Sequence, residues 1–215
     1  MLTLYSYWRS SSSYRVRIAL KHKGCAYTYQ PVHLVRDGGV QYSESFRQLN
    51  PESRIPTLVS GSLQLTQSMA ILEWLEETYP APALLPEDPA ARARVRALAQ
   101  LLVADVQPLQ NIGVLRYLKN SLHVEAEGVR RWLQHWNGRG LAAFEAHLAA
   151  APAGRYCHGD QLSFADICLV PQCYAARRNG VAIGAYPNIT RIEAALLQLP
   201  AFIEAAPDNQ PDAER

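Results

Sequence analysis

Four prolines, Pro80, Pro82, Pro86 and Pro89, fall within the eleven residues from Tyr79 to Pro89. Proline fixes φ and has no backbone N–H, so no regular helix or central strand runs through such a stretch. The spacing predicts an extended, semi-rigid linker, and the texture of the chain changes across it. Before it, short strand-forming runs alternate with helical ones. After it, alanine- and leucine-rich helical patterns continue almost to the end. A chain of 215 residues is long enough to build two compact units, each with a core.

In the first part, Leu2-Thr3-Leu4-Tyr5-Ser6-Tyr7 reads as a strand, and Tyr14, Val16, Ile18, Ala19 and Leu20 fall at helical spacing up to a stop at Gly24. Between them lie four serines, Ser10 to Ser13, at a strand-to-helix turn. A helix start leaves backbone N–H groups unpaired and carries partial positive charge, so it favours an anion. A capping role explains one hydroxyl; the others are free either to cap or to donate to a bound anion. A second strand over residues 26–32 should lie parallel to the first, because a helix separates them. After a loop and a short amphipathic piece near Tyr42 to Leu49 comes a hairpin, with strands after Pro56 and at Leu63-Gln64-Leu65. Thr66-Gln67-Ser68 then opens a helix from Met69 to Thr78. Ser68 is its natural cap and Gln67 adds an amide, so this is a second helix start rich in hydrogen-bonding groups.

Beyond the linker, helices are expected from Ala90 to Asp105, with a break or kink at Pro108, from Gln110 to Leu118, and from Glu125 to Ala150 with an interruption near Gly138 and Gly140. Ser163-Phe164-Ala165-Asp166 reads as a capping box that starts a buried helix. A last helix covers Ile189 to Leu199, and residues 207–215, proline-rich and charged, should form a loose tail. The net charge of +2 is too near balance to suggest nucleic acid or an acidic membrane surface as a partner. No apolar run is long enough to span a bilayer, and a cytoplasmic location is expected. Cys25, Cys157, Cys168 and Cys173 form no C-x-x-C pair, and their spacing with His158 matches no standard ligand pattern, so no metal is expected.

Assembled, these pieces resemble the zeta class of the glutathione S-transferase superfamily. Ser10-Ser11-Ser12-Ser13-Tyr14-Arg15-Val16-Arg17-Ile18-Ala19-Leu20 is similar to the class signature Ser-Ser-Cys-x-x-Arg-Val-Arg-Ile-Ala-Leu, with Ser12 in place of the cysteine. Leu49-Asn50-Pro51 with Ile55-Pro56-Thr57-Leu58, Gln67-Ser68-Met69-Ala70-Ile71, Gln107-Pro108-Leu109-Gln110-Asn111, and the run from Tyr156 to Gln172 complete the match in order. The resemblance implies an α/β thioredoxin-like domain over residues 1–82, an all-α domain over residues 88–215, a cis bond before Pro56, and a homodimer. It implies glutathione as cofactor, held by Ser10, Ser11, Ser12 and Arg15 at the first helix and by Gln41, Ile55, Gln67 and Ser68 along the rest of the tripeptide. Gln107, Asn111, Ile112 and Gly113 of the helical domain would complete the set.

The activity implied is cis–trans isomerisation of an activated alkene acid, maleylacetoacetate or maleylpyruvate, with the serines as catalytic donors to the thiolate. Arginine's planar fork suits carboxylates, which makes Arg9 and Arg178 candidates for the substrate's ends, whereas Arg15 and Arg17 read as largely structural. Members specific for maleylpyruvate carry arginine after the asparagine that corresponds to Asn111. Gln110-Asn111-Ile112-Gly113-Val114 has no charge there, the pattern of maleylacetoacetate isomerases. The same glutathione site would also serve a conjugating transferase or a dehalogenase of α-halo acids, and the same fold a binding or stress protein without turnover.

Overall fold

The computed structural model describes residues 1–150 and 154–214. Within it the chain forms two compact units: residues 1–83 with 198–215, and residues 84–197.

In the first unit, β1 (Leu2–Ser6), α1 (Ser11–His22) and β2 (Tyr27–Pro31) follow in β-α-β order, then α2 (Glu44–Leu49), the hairpin β3 (Thr57–Ser60) and β4 (Leu63–Leu65), and α3 (Ser68–Thr78). The sheet runs β2-β1-β3-β4. β1 and β2 are parallel, with Leu4 opposite Tyr29, and the other pairs are antiparallel, with Leu4 opposite Leu58 and Leu58 opposite Leu65. Alternate residues of β1, Leu2, Leu4 and Ser6, are buried, as the two-residue strand period requires. Val16, Ile18, Ala19 and Leu20 of α1 and Ile71, Leu72 and Leu75 of α3 are buried with Leu4 and Leu58. The Ile55–Pro56 bond is cis, as is Ala81–Pro82.

The second unit holds α4 (Pro89–Gln100), α5 (Ile112–Asn120), α6 (Ala126–Ala149), α7 (Phe164–Arg178) and α8 (Pro187–Leu196). α4 passes into a π-helical segment, Leu101–Val106, and a 3₁₀ turn, Gln107–Gln110, which holds Pro108, so the regular helix gives way here as expected, beginning a turn or two before the proline. The expected interruption of α6 is absent: the helix runs unbroken through Gly138 and Gly140. Gly140 serves packing, since a Cβ there would lie 2.1 Å from Val106 Cγ2. The expected capping box forms. Asp166 accepts from the Ser163 backbone N–H and hydroxyl and from the Cys157 N–H, at 2.9, 2.7 and 2.8 Å. Among the described residues, no helix is long and apolar enough to cross a membrane.

The end of the chain departs most from expectation. Residues 198–215 belong to the first unit, so the helical unit stops short of the expected limit at residue 215. A helix absent from the sequence reading, α9 (Pro200–Ala205), packs on α1 with Phe202 and Ala205 buried. The tail after it is tied down instead of loose. Asp212 accepts from the Trp8 N–H and the Tyr29 hydroxyl, and Glu214 from His33 and Arg36. Polar residues cannot bury a face of their own, but these find donors distant in sequence, which composition does not reveal. Arg215 lies outside the described residues.

Candidate functional site

α1 begins at the carboxyl end of β1, across a turn closed by the bond from Ser10 N–H to the Tyr7 carbonyl, 3.0 Å. Ser10 is the N-cap: its Oγ accepts from Ser13 N–H at 3.2 Å, which leaves its own proton free to donate outward. Ser11 and Ser12 occupy the first two helical positions, half-buried, and their backbone N–H groups are ones a helix cannot pair with itself. The first turn holds no acidic residue. The dipole is therefore unanswered by the chain, and an incoming anion is favoured. Ser13 turns inward and is fully buried, which removes it from the outward set.

The start of α3 corrects the sequence reading. Gln67, not Ser68, is the N-cap residue, with φ at +62°, in the left-handed region. Its side-chain Nε2 donates to Glu52 Oε2 at 2.6 Å, while the Thr66 hydroxyl donates to Glu52 Oε1 at 2.9 Å. Ser68 is the first helical residue, and its Oγ accepts from Arg15 Nη1 at 2.7 Å. Arg15 is thus buried and links the two helix starts, keeping a positive charge behind both. The sequence reading missed Glu52; an acidic residue fifteen positions ahead of a glutamine carries no local signal.

Gln41 is buried. Its Nε2 donates to the Leu34 carbonyl at 3.2 Å, and its Oε1 meets no donor among the described residues. Ile55 is half-buried beside the cis proline. Arg9 is held by its neighbours: Nη2 donates to the Tyr7 hydroxyl at 3.0 Å, and the guanidinium lies 4.9 Å from the centre of the Trp8 ring. Arg17 is wholly buried and structural, with bonds to Ser6 Oγ and to the carbonyls of Tyr7, Trp8 and Ala205. Burial lowers its pKa from the ordinary guanidinium value.

In the second unit, Gln107 lies in the 3₁₀ turn, and Asn111 caps α5 by accepting from Gly113 N–H at 3.0 Å. Gln110 donates to Gln172 and accepts from Asn179, so this turn meets the end of α7, where Arg178 is exposed over Tyr174. The turn at Gln107–Gln110, just before Asn111 to Gly113, is thus bonded to Asn179, the residue that follows Arg178.

Known proteins resemble this chain over nearly its whole length. Residues 1–77 match the glutathione S-transferase N-terminal domain family and residues 138–203 the C-terminal domain family. The chain is 50% identical over 212 residues to a probable maleylacetoacetate isomerase of Vibrio cholerae, covering 99% of this chain and 98% of the relative. It belongs to the glutathione S-transferases. Among solved structures, it matches the holo form of a bacterial maleylpyruvate isomerase of the zeta class with TM-score 0.96 and 44% identity, over 99% of this chain and 100% of that one. A maleylacetoacetate isomerase of Anaeromyxobacter dehalogenans, with glutathione bound in its active site, matches with TM-score 0.89 and 47% identity, over 100% and 98%. The first unit of this chain offers groups that a peptide thiol with carboxylates could meet. Two helix starts suit the sulfur and a carboxylate, and the unmatched Gln41 Oε1 suits an N–H donor.

Proposed function

We propose that this chain is a glutathione-dependent cis–trans isomerase that converts maleylacetoacetate to fumarylacetoacetate in tyrosine and phenylalanine breakdown. The observation that carries the reading is the start of α1, where a serine-capped helix presents hydroxyls and unpaired N–H groups with no acidic residue to answer them. Glutathione bound there supplies a thiolate that can add to the conjugated double bond and leave again once that bond has turned. Ser10 and Ser11 donate to the sulfur, and Ser12 takes the place of the class cysteine. Hydrogen bonds to the charged form and the helix dipole both favour thiolate over thiol.

At α3, Ser68 accepts from Arg15 and so turns its own proton outward, toward the γ-glutamyl carboxylate. Glu52 fixes the amide of Gln67. Arg9, stacked on Trp8 and tethered to Tyr7, loses little freedom on meeting a substrate carboxylate. For Gln107, Asn111, Ile112, Gly113 and Arg178 the support is the family resemblance, with the bond of Asn179, next to Arg178, to Gln110. A homodimer in the cytoplasm is proposed on the same resemblance.

The uncharged run Gln110–Val114 supports maleylacetoacetate as substrate. Maleylpyruvate is the second reading, favoured by the likeness to the solved maleylpyruvate isomerase. The test is kcat/KM for both substrates with substoichiometric glutathione, repeated after Gly113→Arg. Many turnovers per glutathione and a preference for maleylacetoacetate are expected. Consumption of one glutathione per product would mark a transferase, and a clear preference for maleylpyruvate in the unmodified chain would overturn the substrate.

A further inference from the structure

The turn that carries the serines is gripped from two sides, and one grip comes from the far end of the chain. On one side, Arg17 donates to the carbonyls of Tyr7 and Trp8, at 3.3 and 3.0 Å. On the other, Asp212 Oδ2 accepts from the Trp8 N–H at 3.1 Å. Both ends of the Trp8 peptide unit are therefore fixed, two residues before the N-cap. Asp212 is itself located by the Tyr29 hydroxyl of β2, which donates to Oδ1 at 2.6 Å.

The segment that delivers Asp212 is anchored on either side of it. Gln210, buried, donates to the carbonyls of Glu204 and Ala206 at 2.9 and 2.8 Å. Beyond it, Glu214 Oε1 accepts from His33 Nε2 at 2.9 Å and from Arg36 at 2.7 Å. Val35 and Arg36 N–H groups donate to His33 Nδ1, at 3.2 and 2.8 Å, so the ring proton sits on Nε2 and points at the tail. The tail thus crosses the carboxyl ends of the parallel strands β1 and β2, touching the segment that follows each. In open α/β sheets ligands sit at that edge.

Within the isomerase reading, on which this rests, we propose that Asp212 is a positioning residue for glutathione: through the Trp8 N–H it sets where Ser10 and Ser11 meet the sulfur. The carboxylate touches neither ligand nor substrate. Its effect travels through one peptide unit and the turn closed by Ser10 N–H on Tyr7. A shift of the turn would lengthen the serine contacts to the sulfur and leave the γ-glutamyl contacts of α3 untouched, because α3 is held by Arg15 and Glu52 instead.

The experiment titrates the thiol of bound glutathione by the ultraviolet absorbance of its thiolate, alongside calorimetric affinities for glutathione and S-methylglutathione, which has no thiol to ionise. Asp212→Ala, and a chain ending at Gln210, should each raise the titration midpoint by about one pH unit and weaken glutathione about tenfold at neutral pH. S-methylglutathione should bind as it does to the unmodified protein. Asp212→Asn keeps an acceptor for the Trp8 N–H and should restore the midpoint. A folded Asp212→Ala protein with an unchanged midpoint overturns the proposal, and so does an equal loss of both ligands. If the alanine variant and the shortened chain do not fold, Tyr29→Phe decides. It frees one side of the carboxylate and should raise the midpoint by a smaller amount, and no change would overturn the proposal. A midpoint in the unmodified protein equal to that of free glutathione would instead bring down the isomerase reading itself.

Discussion

α1 and α7 both begin with a serine cap, and they use it in opposite ways. α7 starts with Ser163 and answers its own end: Asp166, three residues on, accepts from Ser163 and from Cys157, deep in the helical unit. α1 starts with Ser10, but no acid follows in its first turn, and Ser11 and Ser12 face outward half-buried. The same cap chemistry thus closes one helix start and leaves the other able to take an anion. What separates a structural cap from a binding site is whether the chain supplies the negative charge itself. α3 stands between the two: its first turn has no acid, but the Glu52 carboxylate is bonded to Thr66 and Gln67 just ahead of it.

The contrast is broken most severely at the closed end. Asp166→Ala strands donors at Cys157 and Ser163 in a wholly buried place, and should cost about 3 kcal/mol in denaturant unfolding. The folded fraction should bind glutathione normally. At the open end the pattern inverts. Ser10→Ala and Ser11→Ala should each lower kcat/KM about ten- to a hundredfold, since each removes a hydrogen bond to a charged group worth about 1.5–3 kcal/mol. Ser11→Ala should do so without a change in Tm, because Ser11 is not the cap. Full activity in both variants would contradict the assignment of the serines.

A sharper version converts one kind of helix start into the other. Ser12→Asp supplies the missing charge in the first turn of α1, with a stabilising dipole interaction of about 0.3–1 kcal/mol. Its Tm should hold or rise while glutathione affinity falls at least tenfold by like-charge repulsion, as read by calorimetry and thermal melts. Unchanged affinity would show that the sulfur lies elsewhere. Ser68→Ala should raise the glutathione KM with kcat near that of the unmodified protein, because contacts to the γ-glutamyl end are the same before and during the reaction. The smallest effect belongs to Ser12→Cys, which restores the class residue and should leave kcat/KM within about twofold.

The contrast between α1 and α7 was legible in the residues, since both serine motifs and the presence or absence of an acid three places on are local. The β-α-β order, the hairpin and the linker were local too, written in strand-forming runs and prolines. What escaped the sequence reading depends on partners far apart. Glu52 reaches Gln67 across a hairpin, and the left-handed backbone of Gln67 moves the cap from Ser68. Gly138 and Gly140 read as a break, yet α6 is continuous because Gly140 packs against Val106. The tail read as loose from its composition, but its acids find Trp8, Tyr29, His33 and Arg36 about 180 to 200 residues away.

The pH dependence of the tail follows from its contacts. The hydrogen bond from His33 and the charge of Arg36 hold the Glu214 carboxyl below its ordinary range. A depressed carboxylate stabilises above its unfolded-state pKa and loses that contribution as pH falls through the folded value, so the tail's outer tether should release only in acid.

Binding of the glutathione sulfur by α1 as a thiolate underlies the whole isomerase reading. It is tested most directly by titrating bound glutathione in the unmodified protein and in Ser11→Ala. The midpoint should lie well below that of free glutathione and move back toward the free value in the variant. A midpoint equal to that of free glutathione in the unmodified protein, or one unmoved by loss of the serine, would contradict it.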